Sequence, residues 1–120
     1  MRQLSPRALE RWNSGHPPSE AIDDCPAVLD VRESWELDLA RLDPGAFRVT
    51  HWPMSDIATR LTELADVLPP HHDVVVLCHH GVRSRAVAGF LERNGYGRVW
   101  NLDGGIDAIA RDLDPRMPVY

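Results

Sequence analysis

The chain has 120 residues, enough for one domain with a modest core. Its formal net charge of −5 leaves no broad basic patch for nucleic acid, and no apolar run reaches the length of a membrane span. Two cysteines, Cys25 and Cys78, are too few for a disulfide scaffold, and Met1-Arg2-Gln3-Leu4-Ser5-Pro6 lacks the apolar core of a signal peptide, so the expected location is cytoplasmic.

In chain order, Ser5 is placed to cap a helix with Pro6 at its first position, running to about Ser14 and stopped by Gly15. His16-Pro17-Pro18 is a loop, and Ala27 to Val31 reads as a buried strand. Glu33 to Arg41 reads as a short helix ended by Asp43-Pro44-Gly45, and Phe47 to His51 as a short strand. Ser55 is a candidate cap for the next helix, whose apolar positions Ile57, Leu61, Leu64 and Leu68 follow helical spacing up to Pro69-Pro70. Val74 to Leu77 is the most apolar strand and is expected at the centre of a sheet. Arg85 to Asn94 reads as a helix, Gly95-Tyr96-Gly97 as a turn, Arg98 to Leu102 as the last strand and Ile106 to Leu113 as the last helix. Strands alternating with helices predict an α/β layered fold with a mainly parallel sheet, in which ligands sit beyond the carboxyl ends of the strands.

Cys78 falls at such an end. It follows Val74 to Leu77 directly, and the loop His79-His80-Gly81-Val82-Arg83-Ser84 leads into the next helix. Successive backbone N–H groups of such a loop converge on one point, and a helix start adds partial positive charge there. The loop is therefore suited to hold an anion, either the thiolate or what it becomes. Gly81 allows the tight path, since glycine accepts positive φ.

This stretch resembles the active-site loop of the rhodanese family of sulfurtransferases: a strand, then Cys-x-x-Gly-x-Arg-Ser, then a helix. Cys78, Gly81, Arg83 and Ser84 fit as they stand. Leu29-Asp30-Val31-Arg32-Glu33 with Trp35-Glu36 resembles the family's first strand and helix start. Pro44-Gly45-Ala46 with Trp52-Pro53-Met54 resembles its "-PGA-" segment and second strand, and Asn101-Leu102-Asp103-Gly104-Gly105-Ile106 its closing glycine turn. The likeness runs from about Ser5 to Tyr120. It implies a single three-layer α/β/α domain over residues 1–120 with about five central strands. It also implies sulfur transfer from a small sulfur-containing anion such as thiosulfate, through a Cys78 persulfide, to a thiol, protein or cyanide acceptor. No metal or organic cofactor is implied.

In the resemblance Cys78 is the nucleophile, and His79, His80, Gly81, Val82, Arg83 and Ser84 form the substrate-binding loop. Arg83 either binds the donor's anionic group through two parallel hydrogen bonds or pairs with Glu33 or Glu36. Ser84 either turns its hydroxyl to the sulfur or caps the following helix. His79 and His80 depart from the Arg or Lys that thiosulfate-preferring members carry in this loop. Adjacent histidines on a tight loop seldom point at one ion, so a metal site is not expected there. Asp30 and Arg32 are read as scaffold, Trp52 as core, Trp35 as core or pocket rim, and Cys25 as a conceivable resolving thiol that nothing in the sequence places near Cys78. A non-catalytic rhodanese-like binding module is the alternative. A phosphatase or arsenate reductase ranks lower, because it needs Cys-x5-Arg, whereas four residues, His79 to Val82, separate Cys78 from Arg83.

Overall fold

The computed structural model describes residues 1–120. Its elements begin with β1 (Arg2–Leu4), α1 (Pro6–Asn13), β2 (Ala27–Asp30), α2 (Ser34–Leu39), β3 (Arg48–His51) and α3 (Met54–Thr59). Then follow α4 (Leu61–Val67), β4 (Val74–Leu77), α5 (Val82–Arg93), β5 (Val99–Leu102) and α6 (Gly105–Asp112). One five-stranded sheet runs in the order β1-β5-β4-β2-β3, and every pairing is parallel.

Side-chain alternation along the strands produces three layers. Leu29, Val74, Val76 and Val99 face one side, where they meet Ile57, Leu64, Val87 and Leu91 from α3, α4 and α5. Val28, Val75, Leu77, Trp100 and Leu102 face the other, against Leu9 and Trp12 of α1 and Ile106 and Ile109 of α6. Because helices cover both faces, every residue of β2, β4 and β5 is buried, which is why Val74 to Leu77 reads as an unbroken apolar run. The expected α/β/α architecture is the one observed. No helix is long and apolar enough to cross a membrane.

The strand order positions the site. From β2 the chain steps outward to β3, then crosses back to β4 on the other side of β2. The loops leaving β2 and β4 therefore part at their carboxyl ends, which opens a crevice there. Cys78 is the first residue after β4. At the opposite end of the sheet, the buried Asp73 carboxylate accepts the N–H groups of Ile22 and Asp23 and bonds to Arg98 and Trp100. That carboxylate pins the long connection after α1 beneath the strands.

Several boundaries differ from the sequence expectation. The three-residue β1 was not anticipated: it carries one buried apolar side chain, Leu4, and is ordered by pairing with β5. The helix expected from Ser55 to Leu68 is two helices that change direction at Arg60 (φ −125°, ψ 32°). The Arg60 N–H still reaches Asp56 O and its carbonyl still accepts from Leu64, so the bend leaves neither group unpaired. Ser55 lies inside α3, and Pro53 occupies the cap position. Trp52, expected in the core, is partly buried at its edge with the Arg60 guanidinium over its ring. The α1 prediction was close, with the Ser5 hydroxyl accepting the Ala8 N–H.

Candidate active site

The loop after β4 is built by two glycines and two helix starts. Gly81 sits at φ 94°, in the left-handed region, and α5 starts immediately after it. The helix thus begins at Val82, three residues before the predicted start, and its positive end lies at the loop. On the other side, α6 donates the Ile106 N–H to Cys78 O at 2.8 Å and the Asp107 N–H to His79 O at 3.1 Å. The first-turn donors that a helix leaves unpaired are thus spent on the loop's carbonyls. With those carbonyls turned outward, the Gly81 N–H points inward and donates to Cys78 Sγ at 3.0 Å.

Gly105 makes this docking possible. It sits at φ 64°, and a Cβ there would run into the carbonyl oxygens of Cys78 and His79. Gly105→Ala is expected to destabilise the domain by about 2 kcal/mol or more through left-handed strain and displaced contacts. Gly97→Ala, where a Cβ meets nothing, is expected to change stability by less than about 0.5 kcal/mol. Urea unfolding of the two variants checks this, and equal stabilities would refute the docking.

Cys78 is buried, and its thiol donates to Ser84 Oγ at 3.3 Å. Ser84 is inside α5 and fully buried, so the capping alternative does not hold. Its hydroxyl donates in turn to Asn101 Oδ1, which leaves a lone pair facing the sulfur. Asn101 is fixed because its amide nitrogen donates to Gln3 Oε1 at 3.1 Å and Gly81 O at 3.4 Å. Neither Asn101 nor Gln3 is marked as a site residue by the sequence pattern. The available signal was a polar side chain in the otherwise apolar stretch Val99-Trp100-Asn101-Leu102.

Arg83 takes the ion-pair alternative. Its two terminal nitrogens donate to the two Glu36 carboxylate oxygens, each at 2.6 Å, a fork-on-fork geometry. Glu36 also accepts the Glu33 N–H at 2.8 Å, which starts α2, and the Tyr120 hydroxyl at 3.0 Å. The Arg83 pairing holds the Glu36 carboxyl down at about 2, against an ordinary value of 4.5. A depressed carboxyl contributes stability that is complete above its unfolded value near 4.5 and is lost as pH falls toward 2. Wild type is expected to lose on the order of 2–3 kcal/mol more than Glu36→Gln across that window, measured by urea unfolding. Parallel losses in the two proteins would remove the assignment.

The remaining loop residues divide by exposure. The His79 ring is stacked between His80 and Tyr120, both at 3.8 Å between centroids, and its Nε2 is buried without a partner. Burial and the neighbouring His80 push His79 below its ordinary pKa. His80 is exposed, with Nδ1 3.7 Å from Asp107. Val82 is 77% exposed on the rim. Trp35 is exposed and meets Tyr120 edge-on, so it belongs to the rim rather than the core. Asp30 and Arg32 form a buried ion pair at 2.7 Å. Cys25 is a half-buried free thiol. No three His, Cys, Asp or Glu side chains converge to hold a metal ion. None of the four surface cavities is lined by Cys78–Ser84.

The sequence profile of the Rhodanese-like domain matches residues 11–112. Over 93 residues the chain is 33% identical to thiosulfate sulfurtransferase GlpE of Actinobacillus succinogenes, covering 78% of this chain and 77% of that protein. It is 39% identical over 93 residues to rhodanese-like/PpiC domain-containing protein 12, chloroplastic, of Arabidopsis thaliana. That match covers 78% of this chain and 30% of the longer plant protein. Among solved structures, a rhodanese-related protein from Thermoplasma volcanium superposes with a TM-score of 0.70 at 23% identity, covering 100% of this chain and 98% of the other.

Proposed function

Because the chain belongs to the rhodanese-like domain family, we propose that it is a sulfurtransferase that carries a sulfane sulfur as a persulfide on Cys78. The Cys78 thiolate attacks the outer sulfur of a donor such as thiosulfate. The donor's S–S bond breaks, sulfite leaves with the electron pair, and Cys78–S–S⁻ remains. An acceptor thiol or cyanide then attacks the outer sulfur, and the Cys78 thiolate leaves. Metal and organic cofactor are not needed for either step.

The observation that carries this reading is the Gly81 N–H on Cys78 Sγ at 3.0 Å, in a loop whose carbonyls are tied back to α6. This arrangement aims a backbone donor at the sulfur that the donor's outer atom would join. A phosphate-transfer site would require a guanidinium facing the nucleophile across a wider loop. Here the Arg83 guanidinium is bound to Glu36, which disfavours that reading.

Intact-protein mass spectrometry after incubation with thiosulfate, before and after adding cyanide or a thiol, tests the proposal. A gain of one sulfur atom that the acceptor removes is the expected result. A protein that gains no sulfur from thiosulfate or from an organic persulfide would instead be a binding module.

A further inference from the structure

Tyr120 lies beyond the residues matched by the family profile, yet its side chain reaches the loop. Its ring lies flat on His79, with an interplanar angle of 10°. Its hydroxyl accepts from Arg32 Nη1 at 2.9 Å and donates to Glu36 Oε1 at 3.0 Å. Glu36 Oε1 therefore carries Tyr120 and one Arg83 nitrogen, while Oε2 carries the other Arg83 nitrogen and the Glu33 N–H. A carboxylate offers about four acceptor positions, so this one is fully occupied and cannot swing away.

Arg83 is the only Lys or Arg between Cys78 and Ser84. Its side chain is one-third exposed at the rim, whereas its Glu36 partner is buried. A guanidinium at the rim is the group an anionic donor would use, but here both of its terminal nitrogens are committed to Glu36. The loop then meets an incoming donor with its permanent positive charge already neutralised.

We propose that Tyr120 is a specificity-determining positioning residue that locks Glu36 onto Arg83. The lock biases Cys78 toward singly charged sulfane donors such as organic persulfides, whose outer sulfur the thiolate takes as the organic thiolate leaves, over dianions such as thiosulfate. The donor preference rests on the sulfurtransferase reading above. The lock itself does not, and it is measurable without sulfur transfer.

The test is the rate of Cys78 alkylation by anionic iodoacetate relative to neutral iodoacetamide, in a Cys25→Ser background with modified peptides identified by mass. Tyr120→Phe keeps the ring on His79 and removes the hydroxyl. It is expected to raise the iodoacetate-to-iodoacetamide ratio about threefold to tenfold, the worth of one ordinary hydrogen bond. Glu36→Gln is expected to raise it at least as much. A merely structural role for Tyr120 would change both rates together and leave the ratio unmoved. An unmoved ratio in Tyr120→Phe overturns the inference, including when Glu36→Gln raises it. Sulfur loading from thiosulfate relative to an organic persulfide is expected to follow the same ratio. If wild type loads from neither donor, the sulfurtransferase reading fails while the alkylation ratio still decides the role of Tyr120.

Discussion

In a Cys25→Ser background, Cys78→Ser is expected to take up no sulfur from any donor while keeping the thermal unfolding midpoint of its parent within a few degrees. The substituted oxygen occupies the sulfur's place, where it accepts the Gly81 N–H and donates to Ser84 Oγ. A buried hydroxyl with both partners costs little, whereas an unpaired one costs on the order of 1–3 kcal/mol. What is lost is chemistry: an alcohol is scarcely ionised near neutrality and does not form the S–S bond. Intact mass after donor treatment and calorimetry on the same sample check the two halves separately. Sulfur uptake by the serine variant in a Cys25→Ser background would eliminate Cys78 as carrier. If serine proves destabilising, Cys78→Ala supplies the second test, with the same expected loss of uptake.

Arg32→Ala is expected to cost about 3–5 kcal/mol, the largest stability loss among the substitutions considered. Arg32 is fully buried at the end of β2. Its guanidinium donates to both Asp30 oxygens at 2.9 and 2.7 Å, to Ala40 O at 2.7 Å and to the Tyr120 hydroxyl. Truncation strands the buried Asp30 carboxylate and leaves Ala40 O without this donor. Lysine cannot replace the fork with one nitrogen, so Arg32→Lys is expected to recover less than half of the loss. Against total stabilities of about 5–15 kcal/mol, the alanine variant is marginal. Urea unfolding measures it, and a loss below about 1 kcal/mol would mean the pair is not a structural anchor.

The parts of this fold legible in the sequence are those where one local pattern decides the outcome. Val74 to Leu77 is apolar at every position because both sheet faces are covered, and the Cys78 loop announces itself through Gly81 and the helix after it. Elements decided by distant partners were not legible. Arg2–Leu4 becomes a strand only through pairing with Trp100–Leu102. Ser84 has the chemistry of a cap, but α5 starts at Val82 and carries it inward to Cys78 and Asn101. At Arg83 local chemistry permitted an ion pair or donor binding, and the path of α2 brings Glu36 to meet it. Tyr120 left no local trace, since its partners lie 41 to 88 residues away in sequence.

The β1–β5 pairing also sets an order of events during synthesis. Residues 2–4 leave the ribosome well before their hydrogen-bonding partners, residues 100–102. Through most of translation this edge has no strand to join, and closing so long a loop is slow relative to local helix formation. Gln3, which helps orient Asn101 toward Ser84, reaches its place only when that edge closes. A nascent chain thus exposes its cysteine loop before the polar groups behind it are set. The surroundings of the thiol are complete only once residues 2–4 have joined β5.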